Sequence, residues 1–135
     1  MSFERYRGVI PEFGKFLEYA SRPEPVTIRV RSGRIEPDAL VERMARQGFV
    51  LRPIPDQAGF LRVQSAPKPI ALTLEHWLGL FYVQRASTGL AAPALAPKPG
   101  ERVLDMCAAP GGKTTHLADL MEDRGPLVAV DSNVG

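Results

Sequence analysis

The chain predicts an α/β fold, the opening of a parallel nucleotide-binding sheet preceded by a small α+β module, and three observations carry that prediction. Residues 103–106, V-L-D-M, form a short, nearly continuous apolar run, as expected of a parallel strand buried on both faces. A turn of small residues follows, C-A-A-P-G-G-K at 107–113, and after it Leu117, Leu120 and Met121 recur at i, i+3 and i+4 as one apolar helical face. A second apolar run, L-V-A-V at 127–130, ends in Asp131, twenty positions beyond Gly111. Strand, glycine turn and helix bring bare backbone to a ligand at the helix N-terminus, and an acid ~20 residues further on is placed to grip a ribose.

The elements before this unit follow in order. Residues 11–20 predict a short helix entered through Pro11 and ended by S-R-P-E-P at 21–25. Residues 26–31 alternate, with Val26, Ile28 and Val30 on one face and Thr27, Arg29 and Arg31 on the other, a half-buried strand. Pro37 opens a helix carrying Leu40, Val41 and Met44 and stopped near Gly48. Extended pieces at 49–54 and 60–63 flank a turn at 55–59. L-E-H-W-L-G-L, F-Y-V-Q and an alanine-rich stretch at 86–95 lead to the Lys98-Pro99-Gly100 turn. Four segments are therefore expected: a helical one at 1–22, the α+β module at 23–65, a helical connector at 66–97 and the incomplete βαβ unit at 98–135. Two parallel strands alone would leave an unpaired apolar edge, so the sheet is expected to be completed by further chain or by a second polypeptide.

Composition narrows the function. No run approaches the ~18 apolar residues of a membrane span, and the N-terminus, M-S-F-E-R-Y-R, lacks a secretory apolar core. One cysteine permits no internal disulfide and suits a reducing cytoplasm. His76 and His116 lie too far apart in sequence for a metal-ligand pattern. A net charge of +2 does not announce a nucleic-acid binder, although residues 22–34 hold four arginines against one glutamate.

Three ligand chemistries compete for the turn. G-G-K-T-T resembles the end of a phosphate-binding loop, but position 107, where that motif needs glycine, is cysteine. The dinucleotide fingerprint G-x-G-x-x-G fails because only Gly111 and Gly112 are present. A turn for S-adenosylmethionine, which has no pyrophosphate to cradle, fits best. The bland alternative is a tight strand-to-helix connection with no ligand.

D-M-C-A-A-P-G-G-K-T-T-H resembles the first cofactor motif of the Sun-family RNA cytosine-5 methyltransferases, which include bacterial ribosomal RNA enzymes. H-W-L-G-L-F-Y-V-Q-R-A-S resembles that family's approach to its catalytic domain, and T-I-R-V-R with G-F-V-L-R-P-I-P resembles its N-terminal RNA-binding module. The likeness covers roughly residues 11–131. It implies a Rossmann-like class I methyltransferase sheet beginning at residue 98. It also implies an S-adenosylmethionine pocket lined by Cys107, Ala108, Ala109, Pro110, Gly111, Gly112 and Lys113, with Asp131 on the ribose. RNA, ribosomal or transfer, is the implied partner, and methyl transfer to C5 of cytosine the implied reaction. The family's two catalytic cysteines lie downstream of the motif, whereas this chain's one cysteine lies inside it, so the segment alone is expected to be inactive. Arg31 stands where the family usually shows asparagine, and Arg85 where it shows an acid. A non-catalytic RNA binder with a degenerate methyltransferase fold is the alternative; a small-molecule methyltransferase would have no use for the upstream module.

Arg29 and Arg31 are candidates for a phosphate-contacting stripe, with a solvated strand face as the competing reading, and Gln84 is a candidate RNA contact. Trp77, Phe81 and Tyr82 are expected to pack rather than to stack on bases. His76 and His116 are expected to be surface or capping residues. Lys113 opposes the macrodipole of the helix it begins, which points to a polar role toward a ligand carboxylate or a neighbouring side chain.

Overall fold

A computed structural model describes residues 3–132. The chain runs α1 (Phe13–Ala20), β1 (Thr27–Val30), α2 (Pro37–Ala45), β2 (Val50–Pro53), β3 (Phe60–Ser65), α3 (Leu74–Trp77), β4 (Phe81–Val83), α4 (Ala91–Leu95), β5 (Val103–Asp105), α5 (Gly112–Leu120) and β6 (Leu127–Ala129). A four-stranded antiparallel sheet has the order β2-β3-β1-β4, and β5 and β6 form a separate parallel pair. The fourth strand of the antiparallel sheet thus comes from the stretch 66–97.

One face of that sheet carries the main core. Ile28, Val30, Leu51, Leu61 and Phe81 pack beneath Leu40 and Met44 of α2. Leu40 and Met44 are fully buried, and burial of each contributes on the order of 1.5–3 kcal/mol. Pro37 occupies the first turn of α2, where its missing N–H costs nothing, and Gly48, at φ 84°, turns the chain toward β2. α3 is capped by Thr73, whose hydroxyl accepts the His76 N–H at 3.3 Å. Glu75, buried on α3, accepts hydrogen bonds from Arg43 at 2.7 Å and Gln47 at 2.9 Å, which ties α3 to α2.

The opposite face corrects the expectation of a half-buried β1. All four residues of the strand are buried, Thr27 and Arg29 included, while Val26 just before it is 47% exposed. The cause is that α5 and the 3-10 turn at Ala86–Leu90 lie across this second face. Gly89 sits directly on the Phe60 ring, and Phe60 meets the His116 ring of α5 edge-on, with centroids 5.8 Å apart.

The parallel pair aligns Val103 with Leu127, Leu104 with Val128 and Asp105 with Ala129. Its side chains depart from expectation. Leu104 is 57% exposed, Met106 71%, Val128 55% and Val130 48%, because among the described residues these strands pair only with each other.

The seat of Gly89 leaves no room for a side chain: a Cβ there would overlap Phe60 Cζ and stand 2.7 Å from Cε2. Gly89→Ala is expected to lower stability by about 1–3 kcal/mol, the cost of overpacking a filled site. Urea unfolding followed by circular dichroism measures it, and an unchanged midpoint would show that the turn can lift off the ring.

Candidate cofactor site and its anchoring interface

The turn between β5 and α5 is built from backbone held by two carboxylates. Asp105, the last residue of β5 and buried, accepts the Cys107 N–H at 3.1 Å and the Thr114 hydroxyl at 2.6 Å. Asp131, just past β6, accepts the Ala109 N–H at 2.8 Å. The Ala108 N–H donates to Val130 at 3.1 Å, and the Gly111 N–H closes a tight turn on Ala108 at 2.6 Å. The Ala109–Pro110 peptide is cis, and Gly111 has φ 102°, a left-handed conformation that favours glycine. Among the described residues no side chain caps α5, so its first-turn N–H groups keep the unpaired donors that helix N-termini present to anions.

The antiparallel sheet supports the turn from behind. The Tyr82 hydroxyl donates to the Pro110 carbonyl at 2.8 Å. A Cβ on Gly112 would come within 3.3 Å of the Tyr82 ring and 3.6 Å of the Gln84 amide carbon, so Gly112 is what allows this close approach.

Along α5 the two units are joined by an ion cluster. Arg29, 2% exposed, pairs through Nη1 with Asp119; it also donates through Nη2 to Thr115 at 2.8 Å and through Nε to Gln84 Oε1 at 3.0 Å. Arg31 adds Nε contacts to both Asp119 oxygens at 2.7 and 2.9 Å. Burial pulls the Arg29 guanidinium below its usual range, against the hydrogen bond and charge of Asp119. His116, 7% exposed, lies beside the cluster with Nδ1 lacking any protein partner among the described residues. Burial, with the Arg29 charge acting in the same direction, pushes its imidazole down to about 4, and Asp119 opposes this only in part.

These positions revise several sequence expectations. Cys107 to Lys113 and Asp131 come together at one turn, with Cys107 and Lys113 exposed. Arg29 and Arg31 form neither a phosphate stripe nor a solvated face, because Asp119 engages both and α5 covers Arg29. Gln84 is buried against Arg29 and the turn, its Nε2 without a protein partner, rather than displayed to solvent. His116 is a buried interface residue, not a surface or capping one. Of the three aromatics only Phe81 is core: Trp77 is 86% exposed, and Tyr82 braces the turn. Arg85 forms an exposed pair with Glu24 at 2.9 Å, an interaction worth little in water. Asp105 and Asp119 were not singled out by sequence; an acid closing an apolar strand directly before the turn was the available signal for the first. A cleft of ≈ 290 Å³ between Gly33, Glu36 and the second half of α5 lies away from the turn. A second, of ≈ 300 Å³, adjoins Cys107 and Lys113.

A parallel strand–turn–helix–strand whose two strands each end near an acid that holds the turn defines a Rossmann-like methyltransferase fold. Residues 92–134 match the family model "16S rRNA methyltransferase RsmB/F". It is 41% identical over 123 residues to the 26S rRNA (cytosine-C(5))-methyltransferase nsun-1 of Caenorhabditis elegans, covering 90% of this chain and 18% of the relative. Ribosomal RNA small subunit methyltransferase F of Vibrio vulnificus (strain YJ016) is 36% identical over 133 residues, covering 93% and 28%. Among solved structures, a methyltransferase homolog from Pyrococcus horikoshii superposes with TM-score 0.79 at 40% identity, covering 86% of this chain and 38% of that one. NSun6 from Pyrococcus horikoshii, solved with SFG, shares the fold at TM-score 0.85 and 18% identity, over 96% of this chain and 58% of that one. The chain thus spans between 18% and 28% of the length of these two curated relatives. Among the described residues no helix is long and apolar enough to cross a membrane.

Two outcomes follow from the cluster. Asp119→Ala strands a buried guanidinium and is expected to cost about 3–5 kcal/mol in urea unfolding; a loss below about 1 kcal/mol would show that solvent reaches Arg29 freely. Acid is expected to act through His116. The unfolded imidazole takes a proton near 6.5 and the folded one only near 4. The unfolded state therefore holds more protons between those values, and stability falls as pH drops through that window, by at most about 3 kcal/mol. His116→Leu should flatten that part of the stability–pH curve, and an unchanged slope would remove His116 as its source.

Proposed function

We propose that the protein carrying this chain binds S-adenosylmethionine at the 107–113 turn and methylates C5 of a cytosine in RNA, ribosomal RNA in the first instance, acting in the reducing cytoplasm. One observation carries the reading: the turn offers small residues and uncapped helix donors between two strand-end carboxylates, with no loop of open donors for a pyrophosphate. The residues fit the cofactor. The α5 N-terminus and Lys113 suit the carboxylate of its methionyl part, the small side chains of Ala108, Ala109 and Gly111 allow close approach, and Asp131 suits the ribose hydroxyls. Bound there, S-adenosylmethionine supplies an electrophilic methyl group. Asp105 fixes the path of the turn by holding the Cys107 N–H and the Thr114 hydroxyl. Cys107 contributes its backbone to this arrangement, and the nucleophilic thiolate of the family's chemistry is assigned to a residue beyond the motif. The similarity to named rRNA cytosine-5 methyltransferases supports the substrate class.

Calorimetry with S-adenosylmethionine tests the cofactor. Asp131→Ala should weaken binding by about 1.5–3 kcal/mol, the scale of a charge-assisted hydrogen bond, which is about 10- to 150-fold in Kd. Equal affinity for both proteins would take Asp131 out of the site, and preference for a nucleoside triphosphate would overturn the reading. Incorporation of labelled methyl into ribosomal RNA by the full-length protein, located to cytosine C5, tests the reaction.

A further inference from the structure

The face of the antiparallel sheet that receives α5 extends beyond the helix, and its uncovered part is basic. Across the strands, Thr27 of β1 stands opposite Arg62 of β3, and Arg62 opposite Arg52 of β2. Arg62 lies two residues from Phe60, which meets α5, so the period of two places both arginines on the α5 side of the sheet. Both are exposed. Neither makes an ion pair or a side-chain hydrogen bond to any described residue. Like charges directly opposite one another on adjacent strands destabilise a sheet. The fold tolerates this arrangement here with no carboxylate among the described residues paired to either arginine, although Arg29 and Arg31 a few residues away share an ion pair with Asp119.

The same row of the sheet ends on the cofactor side. Thr27 exchanges hydrogen bonds with Gln84, its hydroxyl donating to the Gln84 carbonyl at 2.6 Å and its carbonyl accepting the Gln84 N–H at 3.1 Å. Gln84 in turn packs on Gly112. At about 4.8 Å per strand, Arg62 and Arg52 stand roughly 10 and 15 Å from Gln84 along a line leading away from the turn. We infer that Arg52 and Arg62 hold the phosphodiester backbone of the RNA strand whose target base is delivered to the cofactor turn. Two adjacent guanidinium forks match phosphate oxygens in shape and charge. A bound phosphate between them replaces their repulsion with attraction. This assignment rests on the RNA reading proposed above and moves the phosphate-contacting role from Arg29 and Arg31 to the uncovered end of the same face.

Fluorescence anisotropy of a labelled single-stranded oligoribonucleotide tests it, with wild type compared against Arg52→Gln/Arg62→Gln. Arg5→Gln/Arg46→Gln serves as a charge-matched control, since Arg5 lies in the N-terminal 3-10 turn Glu4–Tyr6, outside both sheets, and Arg46 follows α2 on the other side of the antiparallel sheet. The Arg52/Arg62 double variant should bind about tenfold more weakly, and its plot of log affinity against log salt, taken between about 50 and 200 mM, should lose about 1.4 in slope, two single-strand phosphate contacts. The control should match wild type. Melting by circular dichroism should show the double variant as stable as wild type or more so, because a repulsion has been removed, whereas a merely structural role would lower it. Wild-type affinity and slope in the double variant would overturn this assignment and leave the RNA reading standing. Failure of the wild type itself to bind RNA at any salt would overturn both.

Discussion

The buried pairing of Arg29 with Asp119 is the constraint on which the rest of the arrangement depends. A guanidinium on the central strand of one sheet and a carboxylate on the helix of another unit are both withdrawn from water, and neither is tolerable there without the other. Once they meet, the orientation of α5 over β1 is set. Thr115 and Gln84 satisfy the remaining Arg29 donors, Arg31 covers the outer edge of the carboxylate, and Phe60 closes against His116. Hydrophobic contact alone is non-directional and would allow α5 to slide. The fork of the guanidinium does not.

That orientation carries to the turn at the helix start. Tyr82 pairs with Arg29 one strand over, and Gln84, just past that strand, is hydrogen-bonded to Thr27, so fixing the helix on that sheet also fixes where its first residues lie against them. Asp105 and Asp131 hold the turn from the parallel strands while Tyr82 holds it from the antiparallel sheet. A site made mostly of backbone has few side chains to shape it, and its geometry is therefore imposed by these outer supports.

Local pattern made part of this legible in the sequence. The 3.6-residue recurrence of Leu40 and Met44, proline at the start of α2, glycine at its end and the small-residue turn before α5 are rules a segment obeys by itself, and the structure follows them. That turn was visible because its small residues and glycines are dictated by its backbone geometry. What sequence could not show is which faces meet. Arg29 alternates with apolar neighbours and reads as outward-facing until a second unit supplies Asp119, ninety positions later. His116 looks polar in a helix whose polar side is, in fact, covered by Phe60. Trp77 has the spacing of a core aromatic on α3, yet the buried positions there belong to Thr73 and Glu75, because the Arg43 and Gln47 side chains of the α2 region draw that side of the short helix inward.

The exposure of Trp77 also has an optical consequence. It is the single indole of the chain, and with 86% of its surface in water it experiences nearly the same solvent in the native and the unfolded protein. Its emission is therefore already at the long-wavelength, water-relaxed position when the chain is folded, and it changes little when the core opens. A quencher dissolved in the buffer would reach it in either state, whereas a macromolecule settling over α3 would shield it at once.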